Sequence, residues 1–441
     1  MNLFAIFKNN TLLFLLLLCG KSFGYQAPDT LALTLDNAIA TALKNSYEIE
    51  IAKNNVESNT ILNNYGVAGG LPVVAANASN TEQVTQVNQR LNDGTVINRN
   101  AAAGNNTQAN LTVGLLLYNG KRVVSTKKRL AEQQFQSVEV LNSQVQNTIA
   151  LVMTSYYDVV RQLSYLNTLR ASIQASEKRL EILQVRKEAG MANNADIFQA
   201  EIDLNTLNQT LQDQMMVAQV AKAELLRVLT LDPKSAVTIR DTITVDNNLQ
   251  LQTILERLTL NADVKAADHQ IKINELIVRE TAALRYPTVR LNTSYNYSRN
   301  QVAAGLTLLN RSVGPNAGLT LVVPIYNGSA YKRQKQVAEI NTTNATLQRN
   351  MVLRDYNAGV VKMYETYLSS LQQLETQKRN FALSKQLLDL TLQRFQLIQA
   401  TIIDVREAQR SFEDAGYRMI NLNYAAKAAE IELKRLSNTL Q

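Results

Sequence analysis

Asp404 and Glu407 stand three residues apart, as do Asp196 and Gln199, and that spacing puts each pair on one face of a helix. An acceptor side chain followed three residues later by Glu or Gln is the pattern of a capping box, so both pairs read as the opening turns of helices. Little else in the chain has the make-up of reactive chemistry. His269 is the one histidine and Cys19 the one cysteine, which leaves no Ser, Cys or carboxylate cluster for the imidazole to activate. His269, in the helical stretch 266–277, reads as an isolated surface histidine. No catalytic residues, no metal ligands and no cofactor are expected, and the chain is expected not to be an enzyme.

The elements that hold these carboxylates occur twice. Tyr118-Asn119-Gly120 returns as Tyr326-Asn327-Gly328, a shift of 208 positions (326 − 118), and Asp196-Ile197 returns at the same shift as Asp404-Val405. Tyr156 and Tyr364, Ser176 and Ser384, and Arg227 and Arg435 also match at this offset. No gap is needed from 118 to 227. A segment that tolerates no insertion over such a length is one in which an extra residue would turn every later contact by about 100°, as in long packed helices.

All six prolines, Pro28, Pro72, Pro233, Pro287, Pro315 and Pro324, avoid the stretches 121–229 and 326–441. Proline costs about 3 kcal/mol inside a helix, so these two stretches are free to be long helices. Leu166, Leu169, Ile173, Ser176, Leu180 and Leu183 form a heptad seam in the first. Leu374, Gln377, Phe381, Ser384, Leu388 and Thr391 form a more polar version in the second, which points to a wetter neighbour. A helix over 121–188 would span roughly 100 Å. Gly190, the only glycine between 121 and 229, marks where that rod turns, in the run Ala189-Gly190-Met191-Ala192-Asn193-Asn194.

A period of two precedes each rod. Val289, Leu291, Thr293, Tyr295 and Tyr297 alternate with Arg290, Asn292, Ser294, Asn296 and Ser298, and Leu319, Leu321, Val323 and Ile325 continue the pattern, as do Leu111, Val113, Leu115 and Leu117. Four strands are predicted, at about 72–81, 110–118, 288–298 and 317–326, joined in pairs by polar loops over 82–109 and 299–316. Strands of about ten residues with one apolar and one polar face are the signature of an outer-membrane barrel. Four strands leave open edges, and unpaired backbone in lipid costs several kcal/mol per group, so three chains are expected to supply twelve strands together.

The start of the chain has Lys8, the apolar run 12–18 and then Ser22-Phe23-Gly24, which reads as a secretory signal peptide over 1–24. Lipid attachment at Cys19 would need a small residue where Leu18 stands. The net charge of +8 becomes +6 when Lys8 and Lys21 leave, an excess that fits a membrane surface better than a nucleic acid. With no tryptophan and nine phenylalanines, the composition suits wetted helices rather than one thick core. The mature chain, 25–441, divides into repeat one over 30–232, a connecting segment over 233–248 and repeat two over 249–441.

Together these features resemble the TolC-like outer-membrane efflux proteins. The likeness is carried by Leu33-Thr34-Leu35-Asp36-Asn37-Ala38 with Asn45 and Glu48, by the prolines at two strand entrances, and by Tyr-Asn-Gly at both strand exits. Gly190 six residues before Asp196, and Ile403-Asp404-Val405, complete it. The resemblance implies a fold that is mainly α with a transmembrane β part: a homotrimer whose twelve-stranded barrel in the outer membrane continues as a periplasmic α-helical tunnel. It implies a passive exit duct that works with a periplasmic adaptor and an inner-membrane transporter, exporting small toxic compounds or proteins. It also places Asp404 and Glu407 at a periplasmic gate, and Gly190, Asn193, Asn194, Asp196 and Thr401 at helical-hairpin tips that meet the adaptor. Tyr118, Asn119, Gly120, Tyr326, Asn327 and Gly328 become strand-to-helix turns. Ile398, where the family often has glycine, and Ala400, where a basic residue is expected, depart from the pattern. The alternative reading is a soluble periplasmic coiled-coil adaptor or structural protein.

Overall fold

A computed structural model describes residues 31–440; the leader reading and Cys19 lie outside them. The chain runs β1 (Leu31–Ala32), α1 (Leu35–Asn45), α2 (Tyr47–Leu62), β2 (Val73–Arg90), β3 (Val96–Tyr118), α3 (Arg122–Glu188) and α4 (Asn194–Val228). It then repeats as β4 (Val237–Thr238), α5 (Leu251–Arg257), α6 (Ala262–Ala283), β5 (Thr288–Val302), β6 (Leu309–Val322), α7 (Ala330–Gln396) and α8 (Ile402–Leu436).

The 208-residue shift holds to the residue at the ends of the helices. α3 and α7 each contain 67 residues and α4 and α8 each contain 35. The left-handed backbone positions repeat too: Gly120 with Gly328, Lys121 with Ser329, Gly190 with Ile398, and Thr230 with Asn438. Only the first and third pairs include glycine, so the geometry was kept even where the residue best suited to it was not.

At 1.5 Å per residue the long rods span about 100 Å and the returning helices about half that. α4 and α8 therefore cover only the halves of α3 and α7 away from the sheet, and α2 and α6 pack beside the other halves. α3 lies centrally, against α4, α6 and α8, while α7 packs on α8 and α6. Halfway along the rods, Val152, Tyr156, Leu225, Ile431, Ala38 and Ala42 form the largest core, closed by the parallel pairing of β1 with β4. A second core joins Ile254 and Leu258 to Val360, Tyr367 and Leu433. In the heptad seam Leu166, Leu169, Ile173, Ser176 and Leu183 are buried, and in α7 Leu374, Ser384, Leu388 and Thr391 are buried.

The four long strands form one antiparallel sheet in the order β2-β3-β5-β6. They exceed the expected ten residues, at 18, 23, 15 and 14. The stretches read as polar loops are mostly paired strand: Glu82 faces Asn105, and Arg299 faces Arg311. Asn, Gln and Thr there lack apolar alternation because both faces of the extension are wet, but backbone pairing does not need a buried face to continue. A second correction falls at β6, which ends at Val322 rather than Tyr326. Pro324 has no N–H to extend the ladder.

Candidate functional site

At each far tip a long helix ends, turns through a left-handed residue and restarts. Gly190, at φ +71°, is followed by Met191, whose N–H donates to Arg186 O at 2.7 Å; Ile398, at φ +63°, is followed by Gln399, whose N–H donates to Arg394 O at 2.8 Å. This is a Schellman-type ending, which favours glycine, and a β-branched residue there stores roughly 1–2 kcal/mol of strain.

The caps lie one turn earlier than expected. Asn193 Oδ1 accepts the Asp196 N–H at 2.8 Å, and Thr401 Oγ1 accepts the Asp404 N–H at 3.2 Å. The Asp404 carboxylate closes the capping box by accepting the Thr401 N–H at 2.7 Å and the Thr401 hydroxyl at 2.9 Å. Asp404 is thus the partner of a cap, not the cap, because Asn193 and Thr401 already offer acceptors three residues upstream. Those bonds hold the Asp404 carboxyl below its ordinary range. Gln199, read as a capping partner, instead donates to Asp203 Oδ1 at 2.8 Å. Glu407 is exposed, one turn along from Asp404. Asn194 opens α4 and is exposed.

Above the tips lies a charged cluster that sequence reasoning missed. Arg179, on α3 with a side chain 1% exposed, donates to Asp203 Oδ2 of α4 at 2.9 Å, and Arg406 of α8 reaches the same oxygen at 3.4 Å. One carboxylate therefore ties three helices. Burial pulls the Arg179 guanidinium below its usual range, and Asp203 opposes that shift. A signal existed: at the 208 shift Arg179 pairs with Leu387, Asp203 with Ser411 and Arg406 with Phe198, so each charge falls where the repeats disagree.

Further up, Tyr156 and its repeat mate Tyr364 both donate into connecting segments, to Asp241 Oδ2 at 2.5 Å and to Leu249 O at 3.3 Å. Glu430, 1% exposed, accepts from Lys427 at 3.0 Å and Lys434 at 2.8 Å and takes the Asp246 N–H, which fastens the connecting segment to α8. His269 is not the isolated surface residue expected. It is half-buried between α6 and α3, with Nδ1 2.7 Å from Glu132 Oε2. Packing of the two helices decides this, which the helical period around His269 alone does not reveal. No group of acidic, His or Cys residues among those described has a metal-binding arrangement.

The sheet has two chemically distinct faces. Cross-strand partners share a face, so Asn77-Asn110-Asn296, Ala75-Thr112-Ser294-Asn316, Ser79-Gln108-Ser298-Ser312 and Thr81-Asn106-Asn300-Asn310 form four adjacent rungs without a charge. The other face carries Val74-Val113-Thr293, Ala76-Leu111-Tyr295 and Ala78-Ala109-Tyr297-Val313, with Leu115-Leu291-Leu319 and Val289-Leu321 below them. This apolar band covers residues 289–297 of β5, about 30 Å of strand, and ends where Arg299 faces Arg311.

At the helical end of the band, Tyr118 closes β3, and the Asn119 Oδ1 accepts the Val123 N–H at 3.3 Å. Gly120 adopts φ +66°, and an added Cβ would lie 2.6 Å from Tyr286 Cβ and 3.0 Å from the Ala283 carbonyl. In the second turn Asn327 O accepts the Ala330 N–H at 3.2 Å, Gly328 adopts φ +64° with open space around it, and Tyr326 is exposed.

A two-faced sheet continued by paired rods far longer than a globular domain needs defines a membrane-anchored channel fold. Solved structures with this fold include the outer-membrane protein VceC of Vibrio cholerae, with TM-score 0.74 and 18% identity, covering 92% of this chain and 96% of that one. CusC, described in connection with transmembrane channel formation, gives TM-score 0.76 at 16% identity, covering 92% of both chains. The family model described as outer membrane efflux protein matches residues 253–439. The outer membrane protein TolC of Vibrio cholerae is 23% identical over 328 residues, 71% of each chain. That of Escherichia coli is 22% identical over 308 residues, 67% of this chain and 62% of its own. The chain is thus similar to the TolC-like outer-membrane efflux proteins, with the family model falling on its second repeat. The family model and the curated relatives support an outer-membrane efflux channel rather than an enzyme, and they speak against the soluble-adaptor alternative.

Proposed function

We propose that three copies of this chain close into one passive duct, a twelve-stranded barrel leading into a helical tunnel, through which cargo handed over by a periplasmic adaptor and an inner-membrane transporter leaves the cell. The observation that carries the reading is the sheet. β2 and β6 are its open edges, its apolar face matches a lipid environment, and its other face carries four adjacent rungs of uncharged, mostly amide and hydroxyl side chains suited to water. The helical flanks support it as well: Phe198, Ile202, Met216 and Val220 on α4, and Leu383, Leu387 and Leu390 on α7, are exposed apolar side chains on the two helices at the outside of the protomer. Such edges want partners.

In this reading the tips around Gly190, Asn193, Asn194, Asp196 and Thr401 meet the adaptor. Asp404 and Glu407 bring six carboxylates to the periplasmic end of the bore and favour cations there. The cargo is a small toxic compound or a secreted protein. The experiment is native mass spectrometry of detergent-extracted protein together with planar-bilayer recording. A trimer that conducts, with weakened cation preference in Asp404→Asn/Glu407→Gln, is the expected result. A monomer that never conducts refutes the duct, and unchanged selectivity in the double variant removes the two carboxylates from the constriction.

A further inference from the structure

The charge of the chain is unevenly placed. No acidic residue occurs between Asp93 and Glu132 or between Glu280 and Glu339, the two segments that hold most of the sheet and the starts of both long helices. Basic residues are frequent there, and five of them gather where strands give way to helices. Lys121 and Arg122 follow the end of β3 and open α3; Arg285 precedes β5; Lys332 and Arg333 lie in the first turn of α7. All five are exposed. None is in an ion pair or a side-chain hydrogen bond among the described residues, whereas two basic residues slightly deeper in the helices are matched, Arg129 to Glu280 at 2.7 Å and Lys335 to Glu339 at 2.6 Å.

Aromatic side chains mark the same level. Tyr118, Tyr286 and Tyr326 are 43%, 52% and 84% exposed, at the helical end of the apolar band. Tyrosine beside lysine and arginine at one border of an apolar band is the composition of a membrane interface, in which rings sit at headgroup depth and cations reach phosphates. Five unpaired positive charges per chain with no carboxylate in the same segments are complementary to an anionic surface.

We propose that Lys121, Arg122, Arg285, Lys332 and Arg333 form a basic collar that binds anionic phospholipid headgroups in the periplasmic leaflet of the outer membrane. This rests on the barrel reading above. The collar sets the depth of the sheet in the membrane and holds the bases of the long helices against the leaflet. Its ligand chemistry is the phosphodiester of a lipid with net negative charge, such as phosphatidylglycerol.

The test reconstitutes the full-length protein in vesicles of equimolar phosphatidylcholine and phosphatidylglycerol, counts retained lipids by native mass spectrometry, and records conductance from the same preparation. The wild type is expected to retain phosphatidylglycerol in clear excess. Each collar charge contributes up to about fivefold to that excess at low ionic strength. Lys121→Gln/Arg122→Gln/Lys332→Gln/Arg333→Gln should bring the ratio close to one and still conduct, while Lys378→Gln/Lys385→Gln, exposed on the half of α7 away from the sheet, should keep the wild-type ratio. A conducting wild type with no enrichment, or a four-residue variant that keeps it, overturns the collar and leaves the duct standing. So does a variant whose only change is in ion selectivity, because the charges would then face the bore. A protein that neither inserts nor conducts overturns both.

Discussion

Two glycines inside the long helices should respond to the same substitution with opposite signs. Alanine is better than glycine in a helix interior by about 1 kcal/mol, so propensity alone makes both Gly359→Ala and Gly416→Ala stabilising. Around Gly359 an added Cβ meets only Leu436 Cδ1, at 3.9 Å, and the full gain of about 1 kcal/mol is expected. At Gly416 the Cβ would lie 2.8 Å from Thr168 Cγ2 and 3.1 Å from Phe381 Cε2, because α8 passes between α3 and α7 there. Thr168 is β-branched and held at χ1 by its own helix, so the strain has to spread into the rods, and two such tight contacts put the cost in the upper part of the overpacking range, about 2–3 kcal/mol. After the propensity gain, Gly416→Ala should be destabilising by roughly 1–2 kcal/mol, and the two variants should differ by about 2–3 kcal/mol. The assay is loss of helical circular dichroism in detergent on heating at one scan rate, since unfolding of such a protein is read as an apparent midpoint. A Gly416→Ala protein as stable as the wild type, or more so, would refute the close three-helix packing.

Asp203→Ala should cost about 3 kcal/mol, because it leaves the buried Arg179 charge unmatched, and adding Arg179→Met should recover part of that loss; additive losses in chemical denaturation would argue against a shared site. Ile398→Gly should be neutral or stabilising by up to about 1 kcal/mol, since relief of left-handed strain exceeds the extra freedom of the unfolded chain, and Gly190→Ile should be destabilising; a lower midpoint for Ile398→Gly would contradict the turn geometry. The start of α8 should be pH-dependent in a defined direction. Hydrogen bonds from Thr401 depress the Asp404 carboxyl, so its capping contribution is complete above the ordinary carboxylate range and is lost only as pH falls through the depressed value. Amide exchange at Thr401 should therefore accelerate below that range in the wild type, and Asp404→Asn should abolish the pH dependence; fraying of the wild type already near neutral pH would exclude the capping box.

The long helices were legible because their determinants are local. Proline exclusion, the seam from Leu166 to Leu183 and the ungapped 208-residue shift each follow from helical geometry, which is the same wherever the helix packs. The strands were legible only where a face is apolar. From Val289 to Tyr297 the alternation is visible, but beyond Arg299 the pairing rests on backbone bonds that leave no mark in residue type, and so the strand lengths were underestimated. The capping boxes were misplaced by one turn because a cap depends on where the backbone leaves the helix. Asn193 and Thr401 look like ordinary polar loop residues until that point is known.

Tertiary structure alone decided what touches what between the repeats. Duplicated rods can lie side by side in more than one order, and nothing in a helical period says that α3 takes the centre with α4, α6 and α8 around it. That arrangement buries Arg179 and brings Asp203 and Arg406 to it from two other helices, and it gives His269 a carboxylate partner. Sequence determined the long helices and their lengths, since these depend on interactions within a few turns of chain. Contacts between residues hundreds of positions apart depend on how the faces of separate rods are turned toward one another, and only the folded chain specifies that.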